Sequence, residues 1–254
     1  MSEWWEAFFD ADYLRLWGHS DASGSAAEQV EGLWSVLGLQ QGSRVLDAPC
    51  GYGRLSRPLA ERGAVVVGVD QSQALLEYAE EQRGPLPPSR LRYVRHDLRI
   101  PLDEDGFDCA FNVFTSIGYG SEEDDVRILD TLRAALRPGG LLFVETNHRD
   151  LVVAFMARGA ASSERLPDGT LVVEEAHFDP MTGRLDTCWH WSGPAGQGSK
   201  PASLRVYSAT ELVSLLQRAG FHLRSAHRGC SPEPFRFEGP ESGGKIGLLA
   251  ERPE

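Results

Sequence analysis

The 254-residue chain is 41% hydrophobic and 24% charged, a globular balance long enough for one good core, and a single α/β domain is the expectation over two small ones. Its formal net charge of −12, with Lys200 and Lys245 as the only lysines, opposes docking on a phosphate backbone and excludes nucleic acid as a first choice of partner. No run reaches the roughly 18 apolar residues of a membrane span, no basic-then-apolar leader opens the chain, and the scattered Cys50, Cys109, Cys188 and Cys230 signal neither a metal site nor a disulfide framework, so the chain reads as cytoplasmic.

The N-terminus is crowded with aromatics. Trp5, Phe9, Tyr13 and Trp17 recur at steps of four, as do Trp4 and Phe8, so a helix gathers them onto one apolar stripe that must be covered. A second helix is expected from Ser25 to Leu39, with Val30, Leu33, Trp34 and Leu37 on its inner side. Gln41-Gly42 then turns into a short buried strand, Val45-Leu46, that stops at Asp47. Beyond it Gly51 and Gly53 lack Cβ, so the backbone can turn sharply and let a ligand lie against it, and a helix follows from Leu55 to Arg62. Strand, glycine loop and helix N-terminus in that order make a nucleotide-binding edge. Val65 to Val69 is a second buried strand ending at Asp70, where a carboxylate is placed to accept hydrogen bonds from both hydroxyls of a ribose. Ser72 caps a helix that runs to about Gln82, the prolines at 85, 87 and 88 end it, and Leu91 to Arg95 is a third strand followed by His96-Asp97-Leu98.

A dinucleotide fingerprint has a third glycine three residues after the second, where this chain has Ser56, and no acid ending its first strand. The run Asp47-Ala48-Pro49-Cys50-Gly51-Tyr52-Gly53-Arg54 instead resembles motif I of the class I S-adenosylmethionine-dependent methyltransferases, and Gly68-Val69-Asp70-Gln71-Ser72 is similar to the stretch that follows it in that family. The resemblance is strong over residues 40–150 and weaker over the C-terminal helix and strands. It implies a Rossmann-like, doubly wound, mostly parallel seven-stranded sheet. It also implies that Asp47, Ala48, Gly51 and Gly53 hold the methionine half of S-adenosylmethionine, that Asp70 and Gln71 hold its ribose, and that Asp97 reaches the adenine amino group while Leu98 packs on the ring. In related enzymes the N-terminal segment is a lid closed by a tyrosine, which here would be Tyr13; packing on the body of the protein is the plainer reading of the same stripe.

Phe107 to Phe114 is the fourth strand, and it leads through Asn112 to Tyr119, a position that in the family faces the cofactor and its transferred methyl group. The Asn/Asp-Pro-Pro-Tyr of nucleobase enzymes is missing there, and Thr115-Ser116-Ile117-Gly118-Tyr119 resembles small-molecule methyltransferases that act on amino sugars and other amines, making Ser116 and Tyr119 candidate substrate residues. By composition alone, Gly118 and Gly120 equally mark a structural turn. Ser121 to Asp124 approximates a capping box, Arg137-Pro138-Gly139-Gly140 is a turn, and Leu141 to Glu145 is strand five. His148 follows at the same sheet edge and is a candidate base.

From Leu151 to Tyr207 the alternation of strand and helix stops. Leu171 to Phe178, Leu185 to Trp191 and Leu204 to Tyr207 read as an antiparallel β insertion, with a flexible hairpin loop from Gly193 to Ser199. The face carrying Leu185, Thr187, Trp189 and Trp191 would bury against the body, line a substrate pocket, or pair with a second copy in a homodimer. A capping box at Ser208 to Glu211 opens the last helix, and Phe221 to Arg228 with Lys245 to Ala250 close the sheet around a loop marked by Pro232, Pro234, Gly239, Pro240, Gly243 and Gly244. The chain thus divides into a helical cap (1–40), a cofactor-binding core (41–150), the insertion (151–207) and the C-terminal helix and strands (208–254) of one methyltransferase domain.

The expected activity is methyl transfer from S-adenosylmethionine to a small-molecule acceptor, an amine before a phenol or hydroxyl, by in-line displacement, with Tyr13, Tyr119 and His148 as catalytic candidates and with no metal, nucleic-acid or membrane partner. Two alternatives stand beside it. A nicotinamide-dependent oxidoreductase would share Gly51, Gly53 and Asp70 but leaves Asp97 and Ser56 without a role, and a partner protein could bind S-adenosylmethionine without transferring its methyl group.

Overall fold

In the computed structural model, residues 3–18, 26–157, 159, 161–237 and 244–254 are described. The N-terminal segment forms α1 (Trp4–Phe8) and α2 (Ala11–Trp17), and α3 (Ala26–Val36) follows. The aromatic stripe is therefore carried by two short helices where one was expected. The break is at Asp10, whose carboxylate accepts the Tyr13 N–H at 3.0 Å and caps α2. The expected helix start at Ser25 lies outside the described residues.

The core then alternates: β1 (Arg44–Asp47), α4 (Ser56–Glu61), β2 (Val65–Asp70), α5 (Gln73–Glu81), β3 (Leu91–Arg95), β4 (Phe107–Asn112), α6 (Glu122–Ala135) and β5 (Leu136–Asn147). After it come α7 (Arg149–Met156), β6 (Ala161–Arg165), β7 (Leu171–Asp179), β8 (Arg184–Gly193), β9 (Gly196–Arg205), α8 (Ala209–Arg218), β10 (His222–Arg228) and β11 (Lys245–Glu251). No helix among the described residues is long and apolar enough to cross a membrane.

The expected seven-stranded sheet is present in the order β10-β11-β5-β4-β1-β2-β3, with β11 antiparallel to both neighbours and every other pair parallel. Its double winding explains why β1 is apolar at consecutive positions. Leu46 packs with Val67, Ala110, Leu142 and the α6 and α8 leucines, whereas Val45 points the other way, to Leu33 of α3 and Leu59 of α4. Strand β5 differs from expectation: it starts at Leu136, opposite Phe107, and Arg137 to Gly140 form an irregularity within it, with Gly139 at φ 72°.

The insertion is a separate antiparallel sheet, β6-β7-β8-β9, in which α7 and β6 were not anticipated. The presumed loop from Gly193 to Ser199 is instead mostly strand, because Gly193 pairs with Gly196 across a two-residue turn. Trp191 lies over Gly198, where an added Cβ would fall 2.4 Å from the indole. Part of the tryptophan face packs within the chain: Trp191 joins Leu16 and Val172 in a small core, and Trp17 meets Trp189 edge-on at 5.1 Å.

A buried polar junction ties this sheet to the main one. Tyr207 Oη donates to Asp125 at 2.6 Å, the Gly118 N–H donates to the other Asp125 oxygen at 2.9 Å, and the Arg205 N–H donates to the Gly118 carbonyl at 2.8 Å. Burial pushes the Asp125 carboxyl up to about 6 against the pull of the two donors. The carboxyl is therefore mostly protonated at pH 5 and ionised at pH 8, where the phenol donor matters most. Tyr207→Phe should cost about 1–3 kcal/mol, with the larger loss at pH 8 than at pH 5, as read from urea unfolding at the two pH values. Equal losses would contradict the charged junction.

Candidate active site

Parallel strands present their carboxyl ends at one edge, and here the ends of β1 to β4 open on a cavity of about 480 Å³. Asp47, Gly51, Asp70, Gln71, Asp97, Leu98 and Asn112 all line it, and Tyr13, Ser116 and Tyr119 line it from other elements. At its floor, Gly51 has φ 55° and open space where a Cβ would stand, so the backbone is bare toward the cavity.

Asp70 does structural work as well. Its two oxygens accept the Gly51 and Ser72 N–H groups, each at 2.8 Å, which binds the glycine loop to the start of α5. Burial raises its carboxyl and these donors oppose the rise. Asp47 is more deeply enclosed: burial raises its carboxyl to about 8, and the Ser56 hydroxyl that donates to it opposes this. Asp97 is held below the usual carboxylate range by Arg99, whose guanidinium grips both carboxylate oxygens and reaches Glu3 of the N-terminal segment at 2.6 Å. It is a part-exposed, ion-paired acid.

The N-terminal helices close the cavity. Ser72 Oγ donates to the Phe9 carbonyl at 2.6 Å, and Phe9 packs against Tyr13 at 4.9 Å and stacks on Tyr119 at 5.8 Å. Trp5 stands beside Tyr119 on the same wall. Burial raises the phenols of both Tyr13 and Tyr119, so each is a neutral hydroxyl near pH 7. Beyond β4 the chain turns through left-handed backbone at Phe114 (φ 71°) and Thr115 (φ 61°), held by the Glu145 carboxylate, which accepts the Phe114 N–H at 2.8 Å. A bulky residue in that conformation is strained, and here the strain sits at the cavity wall.

Three expected site residues do not reach the cavity. Ala48 is fully buried and its carbonyl accepts from Asn112 Nδ2 at 2.8 Å, so it braces the loop from behind. Gly53 faces the Tyr93 ring, and a Cβ there would sit 2.3 Å from the phenolic oxygen. His148 is a correction: it is 3% exposed, its Nε2 accepts the Ala209 N–H at 3.2 Å at the start of α8, and Phe235 packs on its ring. Burial also lowers its affinity for a proton. The histidine is turned toward α8 because β5 runs on to Asn147 and the chain bends directly into α7.

Sequence reasoning missed Arg54, Trp5, Phe9, Ser72, Arg99 and Phe114 on the lining. Arg54 was legible in the motif itself, and Phe9 stands four residues before Tyr13; Arg99 and Phe114 carry no local signal. Arg54 is chemically distinctive. One amino group bonds Gln29, the guanidinium lies 4.7 Å from the Phe114 ring, and Nη1 is buried with no hydrogen-bond partner. One unsatisfied cation beside Asp47, with Asp70 and Asp97 further along the edge, complements a zwitterion joined to a nucleoside.

Residues 45–140 match the family model described as a methyltransferase domain. The chain is 25% identical over 197 residues to YqeM of Bacillus subtilis, covering 75% of this chain and 78% of that protein. It is 34% identical over 115 residues to the ubiquinone biosynthesis O-methyltransferase of Coxiella burnetii, covering 43% of this chain and 46% of that one, so the match spans about half of that relative's length. Among solved structures, the CcbJ methyltransferase of Streptomyces caelestis superposes with a TM-score of 0.79 at 20% identity over 96% of both chains. CalS10, an amino pentose methyltransferase from Micromonospora echinaspora solved with S-adenosylmethionine bound, superposes with a TM-score of 0.64 at 20% identity over 89% of both. These two likenesses are of fold.

The two loop glycines should respond differently to alanine. Gly51→Ala adds a methyl into open space and meets only the left-handed backbone penalty of about 1–2 kcal/mol. Gly53→Ala adds to a similar penalty a clash with the Tyr93 phenol, whose ring must shift to admit the methyl. Chemical unfolding should show the larger loss at Gly53, and equal losses would contradict this packing.

Proposed function

We propose, for a chain that carries an S-adenosylmethionine-dependent methyltransferase domain, that it methylates a small-molecule amine held against the aromatic wall of Trp5, Phe9, Tyr13 and Tyr119. The nicotinamide-dependent alternative falls with the methyltransferase-domain match. When bound, S-adenosylmethionine supplies an electrophilic methyl group on a sulfonium centre. In this reading the buried, unpartnered Nη1 of Arg54 takes the cofactor's carboxylate and Asp47 its ammonium group. Asp70 uses its remaining lone pairs for the ribose hydroxyls, and Asp97 takes the adenine amino group while Leu98 meets the ring. Ala48 and Gly53 contribute shape.

The observation that carries the amine reading is the position of His148, the imidazole offered as a base, which lies off the cavity lining and accepts the Ala209 N–H at the start of α8. A phenol or alcohol acceptor needs a base, and the residues sequence offered for that task do not supply one: His148 is occupied at α8, and Tyr13 and Tyr119 are kept neutral by burial. An uncharged amine needs only to be oriented and desolvated near the methyl group, and alignment of that kind is worth up to about 7–11 kcal/mol in intramolecular models. Neutral tyrosine hydroxyls can accept its N–H, and the aromatic faces favour the charge that develops on nitrogen. An oxygen acceptor is the second reading, favoured by the match to the ubiquinone biosynthesis O-methyltransferase.

Incubation with S-adenosylmethionine and separate panels of small amines and phenols, followed by assay of S-adenosylhomocysteine, should give turnover with an amine. Turnover confined to phenols would overturn the amine reading. The cofactor assignment has its own test in protons. In the free protein the Asp47 carboxyl, raised to about 8, is mostly protonated at pH 7, and it must ionise to pair with an ammonium group. Binding at pH 7 should therefore release a proton, seen as a calorimetric heat that depends on the buffer's ionisation enthalpy, and affinity should rise from pH 6 to pH 8. Asp47→Asn should weaken binding by about 1–3 kcal/mol and abolish the proton release. Wild-type affinity in that variant would remove Asp47 from the site.

A further inference from the structure

Lys200 is one of two lysines in the chain and is 7% exposed, although it lies on β9, an edge strand of the second sheet. Edge-strand lysines ordinarily reach into solvent, where they discourage pairing with other chains. This one turns inward, and its ammonium group donates to the Ala7 carbonyl at 2.8 Å and to Asp10 Oδ2 at 2.7 Å. Its Nζ stands 5.9 Å from the centroid of the Phe8 ring. Enclosing a charge and freezing a long side chain are both costly, so the contact needs good partners, and all of them lie at the corner between α1 and α2.

Asp10 links that corner to the cavity. Oδ2 takes the lysine, while Oδ1 caps α2 through the Tyr13 N–H at 3.0 Å. Phe9, the residue before it, is held on its other side by Ser72 and touches both Tyr13 and Tyr119. A single ammonium group thus fixes the corner from which both Phe9 and Tyr13 project over the cavity. We propose that Lys200 is a positioning residue for methyl transfer: from the second sheet it locks the α1–α2 corner so that Phe9 and Tyr13 cover the cofactor. The inference rests on the reading of this cavity as the S-adenosylmethionine site.

The test is a double-mutant cycle. Lys200→Met keeps the stem without the charge, and Asp10→Asn keeps a good helix cap while removing the ionic partner. Asp10 is half exposed on its side chain and can be hydrated when the lysine is gone, so the unfolding midpoint of Lys200→Met should stay near wild type, whereas Asp10→Asn strands an enclosed ammonium group and should lower it. Each variant should bind S-adenosylmethionine at least tenfold more weakly by calorimetry, with the double variant no worse than the weaker single and Lys200→Arg restoring affinity. Trypsin should cut after Arg15 faster in the free variants than in the free wild type, and saturating cofactor should slow that cut. Wild-type affinity in Lys200→Met, or losses that add in the double variant and follow a fall in the unfolding midpoint, would overturn the positioning role. Failure of the wild type itself to bind would instead reject the cofactor reading on which the inference stands.

Discussion

Two carboxylates, Asp47 and Asp70, are buried at the tips of adjacent parallel strands, and the surrounding structure answers to what a buried carboxylate demands. Charge taken out of water needs hydrogen-bond donors or a counter-charge. Asp70 obtains donors from the backbone, which is why the glycine loop and the start of α5 are fixed against each other. Asp47 has the Ser56 hydroxyl as its donor, and burial raises its carboxyl to about 8. Ser56, the position where a dinucleotide fold would carry a third glycine, thereby acquires a role.

The cavity over those tips is closed by material from elsewhere in the chain. The aromatic stripe of α1 and α2 is divided between two surfaces: Phe9 and Tyr13 face the cavity, while Leu16 and Trp17 pack on Trp189, Trp191 and Val172 of the second sheet. The same segment is tied to the strand-tip edge at Arg99–Glu3 and at Ser72–Phe9. The stripe thus packs on the body with one part and lines the cavity with the other.

What could be read in advance follows the range of the forces involved. Strands β1 and β2 were legible because burial on both faces forces continuous apolar runs that end abruptly at polar tips. The α6 and α8 starts were legible because Ser121 with Asp124, and Ser208 with Glu211, satisfy backbone groups within one turn. Strand β9 was not, because Gly-Gln-Gly-Ser-Lys-Pro is specified by pairing with β8 and by room for Trp191, neither of which shows in its own composition. His148 was misjudged for a related reason. Its place at the sheet edge was correct, but the direction of its ring is set by α8, some sixty residues away. The Arg99 link from Asp97 to Glu3 is equally non-local.

The central claim is that the strand-tip carboxylates, the glycine loop and the two N-terminal helices enclose one molecule of S-adenosylmethionine between them. Amide hydrogen exchange with and without that ligand tests it most directly. The account predicts joint protection of the loop around Gly51, the start of α5 around Ser72, and residues 4–17. Protection confined to other parts of the chain, or protection of the loop with α1 and α2 exchanging as in the free protein, would contradict it.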